Sequence, residues 1–213
     1  MGAREGAQRT VARPAGRVSE LGDACMRNVI FAINVTLDGC CDHTKQYADD
    51  ETHEYFTNLM RDVDLLVFGR KTYELMVPFW PEVAQNQSMT KATNEFARAF
   101  DSRKKLVFSR SLDRAEDKNT RIVSTGPGDE ILRLKQEQGK SILVGGVDIP
   151  SQLVEHGLID EYCFVVSPIV AGEGRRLFDH LRLRESLQLK LVDSRSLKSG
   201  CVALRYLTGD RSR

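Results

Sequence analysis

Asn28 to Leu37 reads Asn-Val-Ile-Phe-Ala-Ile-Asn-Val-Thr-Leu, a near-continuous apolar run rich in β-branched residues. A strand with one wet face alternates apolar and polar residues, whereas a strand apolar at almost every position is covered on both faces. Short runs of similar kind recur at Leu65–Phe68, Lys105–Arg110, Arg121–Ser124, Ser141–Gly146 and Asp160–Val170, the last broken at Pro168. Between them lie stretches of helical period. Glu51 to about Asp62 carries a stripe of Tyr55, Phe56, Leu59, Met60 and Val63 behind a capping Asp49 or Asp50. A helix opens at Arg70 and stops near Pro78, and Ser88 caps another bearing Met89, Ala92, Phe96 and Phe100. Asp129–Gln138 is closed by Gly139, and Ile149–His156 is stopped by Gly157. Phe79-Trp80-Pro81 reads as an aromatic packing corner. Leu187–Asp193 and Cys201–Tyr206 alternate around a Ser199-Gly200 turn, as an antiparallel hairpin does. Strands alternating with helices, then a hairpin, predict an α/β fold whose sheet is mostly parallel with an antiparallel edge.

The expected domain is 26–208, between a flexible tail over 1–25 and a short tail at 209–213. Met26 directly precedes the first strand pattern, so it is an alternative natural start. Lys+Arg 31 against Asp+Glu 30 leaves a net charge of +1, which gives no field for nucleic acid. No apolar run is long enough to span a bilayer. The 5 cysteines are an odd number without a C-x-x-C pair. They read as reduced thiols of a cytoplasmic protein. Cys40-Cys41-Asp42-His43 lacks the second cluster that a site of about four zinc ligands needs, so no metal is expected.

Three strand ends carry groups that suit phosphate. Leu65–Phe68 turns at Gly69 into Arg70, Lys71 and Thr72, two cations and a hydroxyl at a helix start. The orphan N–H groups there favour an anion; an ordinary turn with solvated basic residues is the alternative. Lys105–Phe108 ends in Ser109 and Arg110, and Ser141–Val144 runs into Gly145 and Gly146. Adjacent glycines let a pyrophosphate approach bare backbone, or simply make a tight turn. In open α/β sheets ligands bind beyond the carboxyl ends of strands, so the three ends are candidates for one shared ligand. Arg70, Lys71 and Arg110 make a candidate fork for a 2′-phosphate, favouring NADPH over NADH. Neither G-x-G-x-x-G nor a P-loop lysine motif is present.

Val35-Thr-Leu-Asp-Gly39, Gly69-Arg-Lys-Thr-Tyr-Glu74, Val107-Phe-Ser-Arg110, Val144-Gly-Gly146, Asp160-Glu161, Ser167-Pro168 and Gly172-Glu-Gly174 follow one another in a characteristic order. In this the chain resembles the dihydrofolate-reductase-like superfamily over about Met26 to Leu207. Within it, the chain is most similar to the C-terminal reductase domain of the bifunctional riboflavin-biosynthesis deaminase–reductase and its stand-alone bacterial relatives. The resemblance implies a mixed sheet of about eight strands flanked by helices, NADPH as hydride donor, and a homodimer. It implies that Arg70, Lys71, Ser109 and Arg110 meet the 2′-phosphate. Gly69, Thr72, Gly145 and Gly146, flanked by Val144 and Val147, would hold the pyrophosphate. Ile33, Asn34 and the Asp38–Cys41 turn, with Cys41, would face the nicotinamide. Dihydrofolate reductases carry an acid on the helix before Gly69; here the count lands at His53, with Asp50 close by. The fused deaminase's H-x-E and P-C-x-x-C motifs are absent from this sequence.

The expected chemistry is hydride transfer from NADPH to a small heterocycle, either 5-amino-6-(5-phosphoribosylamino)uracil-like or pteridine-like. Asp38, His53 and Asp50 are the candidate catalytic residues, with ordered water as the other proton source. Glu173 and Arg175 are candidates for the rim, in a turn that needs no ligand to explain it. Two other classes fit the same residues. One is a non-catalytic nucleotide-binding module; the other is a structural homodimer packed through Asp160–Val170.

Overall fold

The apolar run at the start of the chain becomes β1 (Val29–Thr36), and it lies inside the sheet. It is flanked in parallel by β5 (Ser141–Val144) and β6 (Glu161–Ser167). A computed structural model describes residues 26–46 and 48–209, so the expected tails fall outside it apart from Gly209. Beyond β5 follow β2 (Val63–Gly69), β3 (Lys104–Phe108) and β4 (Thr120–Val123), all parallel. On the far side of β6, β8 (Val202–Thr208) and then β7 (Leu189–Ser196) pair antiparallel. Among the described residues this makes one eight-stranded sheet, ordered β4-β3-β2-β5-β1-β6-β8-β7. The α/β fold, mostly parallel with a C-terminal hairpin, is as expected. Both edges of β6 are paired within the sheet, by β1 and β8.

Period-two alternation splits the buried side chains between two faces. Val29, Phe31, Val67, Leu106 and Val144 pack on one face, against α5 (Pro127–Lys135) and α6 (Asp148–Glu155). Ile30, Ala32, Leu66, Phe68 and Leu143 pack on the other, with α1 (Asp50–Leu59) and α4 (Lys91–Asp101). Two further helices, α2 (Arg70–Met76) and α3 (Phe79–Asn86), follow β2. Asp49 caps α1, its carboxylate accepting from the Thr52 N–H at 2.9 Å.

Three local expectations change. Phe79-Trp80-Pro81 opens α3 instead of forming a corner, because Pro81 falls in the first turn, where its missing N–H costs nothing. Thr90, not Ser88, caps α4 by accepting from the Thr93 N–H at 3.3 Å. Helix α5 ends at Lys135 rather than Gln138. Gly139 serves packing, since a Cβ there would lie 2.8 Å from Asp64 Oδ2 and 2.9 Å from the Arg27 guanidinium.

Candidate functional site

Because β3, β2 and β5 are neighbours and parallel, their carboxyl ends lie side by side along one sheet edge. The register pairs Gly69 with Phe108 and Val67 with Val144. A cleft of about 710 Å³ opens along this edge, within the range usual for small-molecule sites. Segments distant in sequence supply it. Strand β1 contributes Ile33 and Asn34, and the loop after it Cys41. The end of β2 and start of α2 contribute Gly69, Arg70, Lys71 and Thr72. The turn after β5 contributes Gly145, Gly146 and Val147.

The glycines are required by contact. A Cβ on Gly145 would meet the Phe68 ring at 2.9 Å, and one on Gly146 would meet Thr72 Oγ1 at 2.5 Å. Gly146 also sits at φ +85, in the left-handed region that disfavours a side chain. The Thr72 hydroxyl therefore rests directly over bare backbone.

Three expected cofactor residues do not line the cleft. Val144 is fully buried and faces the α5–α6 core. Ser109 Oγ accepts from the Ser111 and Leu112 N–H groups at 3.2 and 2.9 Å, which commits it to its own turn. Arg110 is exposed just beyond Phe108, on the same sheet edge but outside the cavity.

None of the candidate catalytic residues reaches the cleft. Asp38 accepts from Thr36 Oγ1 at 2.6 Å and from the Ala171 and Gly172 N–H groups at 3.0 Å each. It also faces Arg176 at 3.2 Å. The Thr36 hydroxyl, then the Ala171 N–H, hold its carboxyl far below the usual carboxylate range. Asp38 is thus a tie between two loops. An isolated bridge pairs Cys40 with Arg176 beside it, and Gly174 leaves room for Cys40 Sγ. His53 lies one ring behind the cleft, against Trp80 and Phe96 at 5.7 and 5.4 Å, with Nδ1 at 3.1 Å from Thr93 Oγ1. Burial pushes its imidazole below the ordinary value, so it is neutral at pH 7. Asp50 is exposed and accepts from Thr90 Oγ1 at 2.5 Å, joining the starts of α1 and α4.

Several lining residues were not anticipated. Asp42, His43 and Gln46 follow Cys41 in the loop after β1, and Asp148 opens α6. Arg175, an expected rim residue, lines the cleft and pairs with Asp148, whose carboxyl it draws down. Glu173 instead pairs with Lys45 at 2.6 Å. Burial raises the Cys41 thiol, which donates to the Arg175 carbonyl at 3.1 Å. Among the described residues Lys71 has no ion-pair partner within 4.0 Å, while Arg70 has Glu74 at 3.8 Å. Asn34 Oδ1 and Gln46 Oε1 are buried in the cleft without a hydrogen-bond partner. No group of three or more metal-ligating side chains occurs among the described residues. No helix there is long and apolar enough to cross a membrane.

Comparison with known proteins places this geometry. The profile of the RibD C-terminal domain matches residues 27–203. The uncharacterized protein YyaP of Bacillus subtilis (strain 168) is 29% identical over 184 residues, covering 84% of this chain and 94% of that protein. Among solved structures, a putative riboflavin biosynthesis protein from Shewanella sp. PV-4 superposes with a TM-score of 0.65 at 21% identity. The match covers 85% of this chain and 98% of that one. A diaminohydroxyphosphoribosylaminopyrimidine deaminase/5-amino-6-(5-phosphoribosylamino)uracil reductase from Thermotoga maritima gives 0.60 at 14% identity, over 86% of this chain and 57% of its own. At these identities the two structures speak to the fold.

Proposed function

The chain belongs to the RibD C-terminal domain family, and from that premise we propose that it is an NADPH-dependent reductase of a small heterocyclic substrate. The observation that carries this reading is convergence. Gly69–Thr72, Gly145–Gly146 and Asn34 come from separate segments yet line one cleft at the carboxyl ends of parallel strands. The donor set suits a dinucleotide phosphate. Lys71 and Arg70 supply cations, Thr72 a hydroxyl, and the paired glycines leave backbone within reach. Bound there, the cofactor supplies a hydride.

The protein's part is to orient, to exclude bulk water and to manage one proton. Hydride addition to the carbon of a C=N bond leaves nitrogen to take a proton. The sum is C=N, NADPH and H⁺ giving CH–NH and NADP⁺. Thr44 holds the Asp42 carboxyl low, its N–H first and then its hydroxyl, and Arg175 does the same for Asp148. Both are carboxylates at neutral pH and have no proton to give. We therefore assign the proton to water entering from the rim. In the same reading the substrate is pteridine-like or 5-amino-6-(5-phosphoribosylamino)uracil-like, and the chain forms a homodimer.

Titration with NADPH, followed by quenching of the single Trp80, tests the cofactor half. Binding in the micromolar range is expected; no binding there overturns the proposal. Among the described residues the cleft holds no protonated carboxyl, which favours one second reading, a cofactor-binding module without turnover. NADPH consumption with a substrate panel separates the two.

A further inference from the structure

The cleft is short of free cations for the cofactor assigned to it. A pyrophosphate and a 2′-phosphate together bring several negative charges. Of the three lining Lys and Arg side chains, Arg70 faces Glu74 and Arg175 is held by Asp148. That leaves Lys71 without a carboxylate partner among the described residues. Asp148 deepens the shortage. It opens α6 two residues after Gly146, so its carboxylate stands beside the backbone that would receive the pyrophosphate. Arg175 spans this carboxylate with both terminal nitrogens, Nη1 at 3.2 Å from Oδ2 and Nη2 on Oδ1. The backbone of Arg175 is anchored, its carbonyl accepting from the Cys41 N–H at 2.9 Å and from the Cys41 thiol at 3.1 Å. Its guanidinium is less firmly held. The Arg175 and Asp148 side chains are 37% and 60% exposed, and ion pairs so open to water are weak and easily parted. The pair stands on the wall between the cleft and an adjoining recess of about 230 Å³. Ser151 and Gln152 line that recess, so Asp148 keeps polar surroundings without Arg175. Arg175 foremost, then Lys71 and His180, draws the Asp148 carboxyl down against the opposing effect of burial.

Resting on the reductase reading, we infer that Arg175 is the cation for the cofactor's pyrophosphate, and that Asp148 is the counter-ion it gives up when the cofactor binds. Asp148 competes with the phosphates for one guanidinium and so sets the affinity of the site. A planar guanidinium fork fits a phosphate as well as a carboxylate, so the exchange replaces one set of charge-assisted hydrogen bonds by another. Without Arg175 the phosphates would face the Asp148 carboxylate unscreened, and like charges at close range repel. The pyrophosphate is common to NADPH and NADH, so Arg175 serves both alike, unlike a residue that meets the 2′-phosphate. A mere strut between α6 and the 171–177 loop would be broken in the same way by losing either partner. The exchange makes those two losses opposite in sign.

The test is calorimetric titration of NADPH and NADH into the full chain and three variants. Arg175→Ala is expected to weaken both nucleotides by about tenfold, the usual worth of a charge-assisted contact. Asp148→Asn is expected to tighten both by about threefold, since it frees the guanidinium and removes a like charge. The double variant is expected to bind both at least about threefold tighter than Arg175→Ala, because the unscreened carboxylate is gone. Asp148→Asn weakening both nucleotides as Arg175→Ala does makes the pair a strut and overturns the inference. Unchanged affinity in Arg175→Ala, or a loss confined to NADPH, overturns it too. Should Arg175→Ala fail to fold, the sign of the Asp148→Asn effect decides alone. Failure of the unaltered protein to bind either nucleotide removes the reductase reading and the inference together, whereas binding indifferent to both substitutions removes the inference only.

Discussion

Replacing Gly146 by alanine tests the geometry at the centre of the cleft. The residue sits at φ +85, and the new Cβ would lie 2.5 Å from Thr72 Oγ1. Holding a non-glycine residue in the left-handed region costs about 1–2 kcal/mol. Thr72 is β-branched and short, so it relieves the contact only by leaving its rotamer, at about 0.5–1.5 kcal/mol. The expected loss is therefore about 1.5–3.5 kcal/mol, or a melting temperature lower by roughly 3–14 °C for a domain of this size. Thr72→Ala removes the clashing oxygen, so in that background Gly146→Ala should cost only the backbone portion. Chemical denaturation of the four proteins in the cycle should return a coupling of about 0.5–1.5 kcal/mol between the two positions. Weaker NADPH binding should accompany the loss, because Thr72 and Gly146 both line the cleft. Denaturation of Gly146→Ala at the unaltered midpoint, or a coupling of zero, would refute the claim that threonine and bare glycine backbone form one packed unit.

Lys71→Ala should weaken NADPH at least about tenfold while changing NADH little, measured by titration of both cofactors; equal losses would remove the 2′-phosphate role. Asp38→Asn should flatten the acid limb of a stability–pH curve. The native carboxyl titrates far below its unfolded value of about 3.9, so its stabilisation is full above pH 4 and lost as pH falls. A parallel limb in variant and parent would count against the tie between the two loops. His53→Gln should leave kcat/KM within about twofold, because the imidazole lies behind Phe96 and outside the cleft. The same substitution should remove a loss of stability that sets in as pH drops below about 6.5, since burial disfavours the charged ring.

What the chain revealed beforehand follows the range of each interaction. The apolar runs of β1, β2 and β5 are local signals, and so are Gly69–Thr72 and Gly145–Gly146; strand order then brought their ends together. Asp38 lies outside the cleft, and its place there has the opposite kind of origin. Its role is set by Ala171 and Gly172, more than a hundred residues away, and nothing near it in sequence announces them. His53 was chosen by counting along a helix, which does not say that Trp80 and Phe96 stand against its ring. Phe79-Trp80-Pro81 reads as an aromatic packing corner, yet the three residues open α3, where a proline in the first turn makes no break. The apolar lining of the cleft, Ala32, Leu66 and Leu143 among it, is indistinguishable in sequence from core.

The position of β1 between β5 and β6 has a kinetic consequence. Among the described strands β1 comes first in chain order, yet its two partners begin only at Ser141 and Glu161. Until β5 has been made, more than a hundred residues later, Val29–Thr36 has no strand neighbour, and non-local parallel pairing of this kind is slow. Early ribosome-bound chains should therefore lean on chaperones, and a ligand-competent fold should arise only once β6 has been delivered.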